Sequence, residues 1–282
     1  MADSPEEEAQ LELDAKTYHA DMKKIPLMEL FGPTVQGEGT VIGQQTYFLR
    51  FGLCDYKCTM CDSMHAVDPK LVKLNGERLT QEEIFEKFWD FRHPYSTDWV
   101  TFSGGNPAIH DLSYLVELMH RNGIKINVET QGTRWQPWMA MVESLTISPK
   151  GPGMGERHNQ EVFAKFIDSF VNEEQRFDTF GPTPCIKIVI FDQRDIEFAK
   201  EIFTFLSATE YFDRYDLSNV FYLSLGNTNP PPTEGEDPGF QVEDALKRYR
   251  MLYEDIRLDS ILSKVRFLPQ WHAFVWGNEK GF

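Results

Sequence analysis

Cys54-Asp-Tyr-Lys-Cys58-Thr-Met-Cys61 places three cysteines within eight residues, at spacings of x3 and x2. The run before it, Tyr47-Phe-Leu-Arg-Phe-Gly-Leu53, is aromatic and aliphatic and reads as a buried strand feeding a loop, so the cysteines sit at a strand's carboxyl end. Three thiolates on one tight loop can converge on a metal centre. No fourth cysteine follows in the loop, which leaves that centre one thiolate short and open to chemistry. An incomplete zinc site, a redox pair with a spare thiol, and buried thiols that share a loop by accident are other readings of the same residues.

Outward from this loop, strands alternate with helices and end in polar punctuation. Trp99 to Phe102 reads as a strand ending at Ser103-Gly-Gly-Asn-Pro107, Leu112 to Arg121 as a helix closed by Asn122-Gly123, and Lys125 to Glu129 as a strand ending at Thr130-Gln-Gly132. Ser144 to Ile147 follows, ending at Ser148-Pro-Lys-Gly151, and residues 153–184 read as an insert with a helix near Glu161 to Val171. Strand Ile186 to Phe191, a helix from about Asp195 to Leu206, strand Val220 to Leu225, a helix from about Val242 to Arg257 and strand Val265 to Leu268 resume the pattern. Four prolines bar regular structure from the loop at 227–240. Upstream, Ile25 to Phe31 leads through the glycine-rich turn Gly32-Pro-Thr-Val-Gln-Gly-Glu-Gly39 toward the next strand, the pattern of a hairpin. Between 66 and 98 a polar connection precedes a helix from Thr80 to Trp89, capped by Thr80 with Glu83 and buried along Ile84, Phe85, Phe88 and Trp89.

Such alternation predicts a parallel sheet with helical crossovers. Sheets of this kind hold their sites at strand carboxyl ends, where the cysteine loop, Gly104-Gly105, Glu129 and Ser148 all fall. Pattern alone leaves open whether the sheet is a partial barrel or doubly wound.

The 282 residues, 41% of them apolar, support a single domain from 25 to 282 behind an acidic tail at 1–24, where Asp3, Glu6, Glu7, Glu8, Glu12 and Asp14 crowd the start. The net charge of −16 opposes a nucleic-acid partner. No run reaches the roughly 18 apolar residues of a membrane span, and the amino terminus lacks a signal peptide's basic and apolar regions, so the expectation is a cytoplasmic protein with no membrane partner. Cys185 opens the apolar run Cys185-Ile-Lys-Ile-Val-Ile-Phe191 and reads as a buried structural thiol.

The x3, x2 loop resembles that of the radical S-adenosylmethionine superfamily. Gly104-Gly105, one crossover on, resembles its second motif, commonly Gly-Gly-Glu-Pro, with Asn106 in place of the glutamate. The resemblance implies an α/β fold built as an open, partial (β/α)6-type barrel, with Cys54, Cys58 and Cys61 on three irons of a 4Fe-4S cluster and S-adenosylmethionine on the fourth. Reduction through the cluster then releases a 5′-deoxyadenosyl radical. Ser103, Gly104, Gly105 and Asn106 would hold the cofactor's amino group, Glu129 its ribose, and Ser148 its carboxylate or ribose. Lys150 would lend positive charge, and Met60 would pack on adenine where the superfamily often has an aromatic ring. The glycines allow a ligand close to the backbone, and an amide oxygen at 106 still accepts a hydrogen bond, without a glutamate's charge.

Further matches resemble the 7-carboxy-7-deazaguanine synthase family: Gln36-Gly-Glu-Gly39, Cys61-Asp-Ser63, Glu129-Thr-Gln-Gly132 with Ser148-Pro-Lys150, and Gln270-Trp-His272 with Trp276-Gly-Asn278. By that resemblance the substrate is 6-carboxy-5,6,7,8-tetrahydropterin, rearranged with loss of ammonia on the way to 7-deazapurines such as queuosine. Gln36, Glu38, Arg50, Gln270 and His272 would contact it, Glu38, Arg50 and His272 catalytically. A carboxylate suits the paired donors of a pterin edge, and a guanidinium suits the substrate carboxylate. Phe282 would close over the substrate, and Ser63 would hold Mg2+. A one-electron donor such as flavodoxin or ferredoxin, and a homodimer, follow from the same resemblance. Without it, Arg50 closes a local ion pair, His272 is a satisfied core residue and Ser63 caps its loop.

Two other functions share parts of this pattern. A glycyl-radical activase has the cysteine loop but needs a groove for a protein substrate, whereas Gln36, Glu38, Arg50 and His272 suit a small heterocycle. A metal-stabilised binding module has no use for Gly104-Gly105, Glu129 and Ser148 on one rim.

Overall fold

The computed structural model describes residues 23–177, 181–209, 216–232, 236–237, 239–279 and 281. Among these, nine strands form one sheet in the order β3-β1-β2-β4-β5-β6-β7-β8-β9. β1 (Ile25–Val35) pairs antiparallel with β2 (Gln45–Phe51), the expected hairpin, and with the short β3 (Glu77–Leu79). From β2 onward the neighbours are parallel: β4 (Trp99–Gly104), β5 (Lys125–Thr130), β6 (Ser144–Ile147), β7 (Thr183–Ile190), β8 (Phe221–Leu225) and β9 (Arg266–Leu268). β3 and β9 are the two edges, so the expected α/β fold is an open sheet rather than a closed barrel.

The region expected as a polar connection at 66–98 holds more structure than that. A helical turn at Met64–Val67, then α1 (Pro69–Asn75) and β3, precede α2 (Gln81–Phe91). Asp68 starts α1 by accepting the Lys70 and Leu71 amides, and Thr80 with Glu83 forms the expected capping box. Of the four residues assigned to the buried face of α2, Ile84 and Phe88 are fully buried and Phe85 is partly so. Trp89 is exposed, stacked on Phe85 and lying under the Arg92 guanidinium. One column of the apolar stripe meets the sheet, and the second turns outward.

Further on, α3 (Ser113–Arg121) joins β4 to β5, and α4 (Gln160–Phe177), within the stretch read as an insert, joins β6 to β7. α5 (Gln193–Ser207) follows β7, and α6 (Val242–Ile256) leads to β9. β5 reaches β6 through the short 3-10 turn Pro137–Met141, whose Trp138 and Met139 are buried where a helix face would otherwise lie. Cys185 is free and fully buried on β7, and burial pushes its thiol up to about 12. No helix among the described residues is long and apolar enough to cross a membrane. The acidic residues 1–22 lie outside the described residues.

Candidate active site

One cavity opens at the carboxyl ends of the parallel strands. Cys54, Met60, Cys58, Cys61 and Ser63 line it from the loop after β2, Ser103 to Gly105 from β4, Glu129 and Thr130 from β5, Ser148 and Lys150 from beyond β6, and Lys187 from β7. Gln36 and Glu38 enter from the β1–β2 turn, and Gln270 and His272 from the carboxyl-terminal segment around α7 (Trp271–Trp276). With Arg50 from β2, sixteen chain positions picked from the sequence thus share one chamber. Gly37 explains part of the convergence: a Cβ there would lie 2.6 Å from Nδ1 of His272, and its carbonyl accepts the Trp271 amide at 3.2 Å.

The cysteine loop is held by its own chain. Gly105 N donates to Phe51 O at 2.9 Å and Asn106 N to Leu53 O at 2.8 Å. A Cβ on Gly104 would meet Phe51 O at 2.0 Å. The glycines are therefore needed for backbone to press on backbone, and not, as expected, only for a ligand to approach. Asn106 is buried and does not line the cavity. Its amide nitrogen donates to Asp55 at 2.9 Å, and its oxygen accepts from Thr130 Oγ1 at 2.9 Å and Ala108 N at 3.2 Å. Asp55, between the first two cysteines, also accepts from Gln131 and Thr133 and so ties the loop to the rim after β5. Burial pushes the Cys58 thiol up to about 11 and Cys61 up to about 12, with the Lys150 charge opposing.

A second group is charged and buried. Lys187 Nζ lies 2.6 Å from Glu38 Oε2, and Ser224 Oγ donates to Glu38 Oε1 at 3.1 Å. Burial opposes ionisation of Glu38, but Lys187 and His272 outweigh it and hold the carboxyl down at about 2. Gln36 Nε2 donates to Glu129 Oε1 at 3.0 Å. Glu129 therefore joins Gln36 and Glu38, not the Ser148–Lys150 pair, whose own bond is 3.2 Å. Burial pushes the Glu129 carboxyl above its usual range.

Arg50 does close a local ion pair. The β1–β2 register sets it opposite Glu29, with Nε 2.5 Å from Oε2, while its Nη1 donates to Ser63 Oγ at 3.0 Å. Ser63 Oγ in turn donates to Asp62 at 2.8 Å. Phe282 lies outside the described residues.

A family model described as a 4Fe-4S single cluster domain matches residues 35–175. The 7-carboxy-7-deazaguanine synthase of Bacillus subtilis is 37% identical over 265 residues, covering 92% of this chain and 99% of the relative. That of Bacillus cereus is 33% identical over 266 residues, covering 92% and 100%. The chain belongs to the 7-carboxy-7-deazaguanine synthase family. In fold it matches the crystal structure of QueE from Escherichia coli with a TM-score of 0.59, at 22% identity over 91% of this chain and 98% of that one.

Within the synthase the donor set fits the cluster. Cys54, Cys58 and Cys61 are free and line the cavity. Ser103 Oγ is buried in the same wall with no hydrogen-bond partner among the described residues, as a wall built to receive a polar ligand would have it.

The residues missed in the sequence are Lys187, Ser224, Glu29 and Asp55. Lys187 did leave a signal, since it is a charge inside an apolar strand; Glu29 becomes visible only through strand register.

Proposed function

We propose that the chain converts 6-carboxy-5,6,7,8-tetrahydropterin to 7-carboxy-7-deazaguanine with release of ammonia. The observation that supports this reading most is the shared chamber: three free thiols and the polar set Gln36, Glu38, Arg50 and His272 line one cavity, so a radical source and a small heterocycle have a common enclosure. A 4Fe-4S cluster on Cys54, Cys58 and Cys61 with S-adenosylmethionine bound supplies, once reduced by a donor such as flavodoxin or ferredoxin, a 5′-deoxyadenosyl radical.

The chain's own residues bind and orient. Ser103 Oγ, Ser148 and Lys150 receive the polar groups of S-adenosylmethionine, with Met60 against its adenine. Glu38 accepts the paired N–H groups of the pterin edge, and Gln36 holds Glu129 beside it. Arg50 exchanges part of its contact with Glu29 for the substrate carboxylate. Ser63, already placed by Arg50 and Asp62, offers a hydroxyl oxygen to Mg2+. His272, with Gln270 at its side, covers the substrate from α7.

Anaerobic turnover tests the reading. The protein is reconstituted with iron and sulfide and given reductant, S-adenosylmethionine, Mg2+ and the tetrahydropterin, and 7-carboxy-7-deazaguanine is sought by mass spectrometry. Formation of 5′-deoxyadenosine without the deazaguanine would leave the radical chemistry and remove the substrate assignment. Failure to assemble a four-iron cluster would remove both.

A further inference from the structure

Lys187 is a charge in a strand that gives no other reason for one. Ile186 and Ile188 on either side are fully buried, and Lys187 itself is 8% exposed. Its ammonium holds Oε2 of Glu38 at 2.6 Å, while Ser224 of β8 holds Oε1 at 3.1 Å. Two neighbouring strands thus grip the carboxylate at both oxygens. Each oxygen keeps a lone pair for the cavity that Glu38 lines. As a stabilising device the pair is poor, because desolvating two charges offsets most of their attraction and an apolar pair of equal volume serves as well. As a receptor it has a purpose. A buried carboxylate without a cation takes up a proton, and a neutral carboxyl then turns a donor toward the donors it should receive.

We infer that Lys187 is the positioning residue that makes Glu38 selective for a 2-amino pyrimidinone ring over its 2-oxo counterpart. The inference rests on the pterin reading above. A pterin edge offers two N–H donors to the gripped carboxylate, whereas a lumazine edge offers one donor and a carbonyl oxygen that the carboxylate repels. Cys185 of β7 also faces Glu38, as do Glu129 of β5 and His272 of α7. Among the described residues Lys187 is the charged side chain in hydrogen-bond contact with it.

The test measures anaerobic binding to the cluster-loaded protein of 6-carboxy-5,6,7,8-tetrahydropterin, of its 2-oxo (lumazine) analogue and of S-adenosylmethionine. In Lys187→Met the pterin should bind on the order of 10²-fold more weakly, and the preference for the 2-amino ring should shrink to a few-fold. S-adenosylmethionine affinity should stay within about threefold of wild type, and pterin affinity should recover as pH rises from about 6 to 9 and Glu38 ionises. Lys187→Arg, which keeps the charge, should retain much of the preference. Selectivity that survives in Lys187→Met overturns this proposal alone; wild-type protein that binds neither ring overturns the pterin reading and this proposal together. Should Lys187→Met fail to load its cluster, the wild type decides: its 2-amino preference must hold down to about pH 5, and a preference lost near pH 6 overturns the inference.

Discussion

A Cβ on Gly105 would lie 2.0 Å from the carbonyl oxygen of Leu53, the residue before Cys54. Both groups are backbone, so no rotamer relieves the clash. Gly105→Ala must push the end of β4 away from the start of the cysteine loop, breaking the Gly105 N to Phe51 O bond of 2.9 Å. A loss of roughly 3 kcal/mol in stability is expected, with iron and sulfide content after reconstitution falling below about half of wild type. Full cluster content in the variant would show that this contact does not hold the loop.

A second support lies outside the cavity. Asp195, buried in the first turn of α5, accepts Gly153 N at 2.7 Å and Phe191 N at 2.8 Å. The neighbouring Met154 carbonyl accepts Thr59 N at 2.9 Å, between Cys58 and Cys61. Asp195→Asn sets an amide donor against these backbone donors, and an unpaired buried donor costs about 1–3 kcal/mol. Urea unfolding should show that loss, and anaerobic reconstitution should be slower. An unchanged unfolding midpoint would mean the amide finds another acceptor and the link is dispensable.

Acid should release the Glu29–Arg50 pair. Burial opposes the charge on Glu29, but His65 and Arg50 beside it hold its carboxyl down at about 2 from an ordinary 4.5. A depressed carboxyl contributes stability that is complete above its unfolded value and is lost as pH falls through the folded one. The window is therefore about pH 4.5 down to 2. Glu29→Gln should be less stable than wild type by about 1–2 kcal/mol at neutral pH, with the two curves converging toward the acid end. Parallel curves through that window would assign the acid sensitivity elsewhere, Glu38 being the next candidate.

What can be read from one dimension follows from these contacts. The strand ends and the cysteine loop are legible because period-2 apolar runs and polar punctuation are local, and the capping box of α2 is local too. Strand ends also gather a rim, which is why Ser148, Glu129 and Gly104 could be placed together without coordinates. Glu29 meets Arg50 only through the β1–β2 register, and Ser224 stands on the strand next to Lys187, where both reach Glu38, only through the β7–β8 pairing. Asn106 shows the limit of a motif: the position matches, yet its hydrogen bonds go to Asp55, Thr130 and Ala108. Trp89 shows the limit of periodicity, since a helix stripe two columns wide does not say which column the sheet will cover.

Gly37 and His272 make the last case, because their contact joins the two ends of the described chain over the cavity. A Cβ at 37 would lie 2.6 Å from His272 Nδ1 and 2.7 Å from His272 N. The imidazole could swing aside, but the backbone nitrogen could not without moving α7 and stretching the Trp271 N to Gly37 O bond of 3.2 Å. Gly37→Ala should therefore act on the cover of the site rather than on the cysteine loop, which other segments hold. Pterin KM is expected to rise by about 10–10²-fold, while 5′-deoxyadenosine formed without pterin should stay near the wild-type rate. His272→Ala should resemble it in KM, and adding it to Gly37→Ala should cost little more, because the displaced α7 has already carried the imidazole away from the substrate. A double variant whose losses simply add would separate the two residues and leave Gly37 a role in the Gln36–Glu38 turn alone.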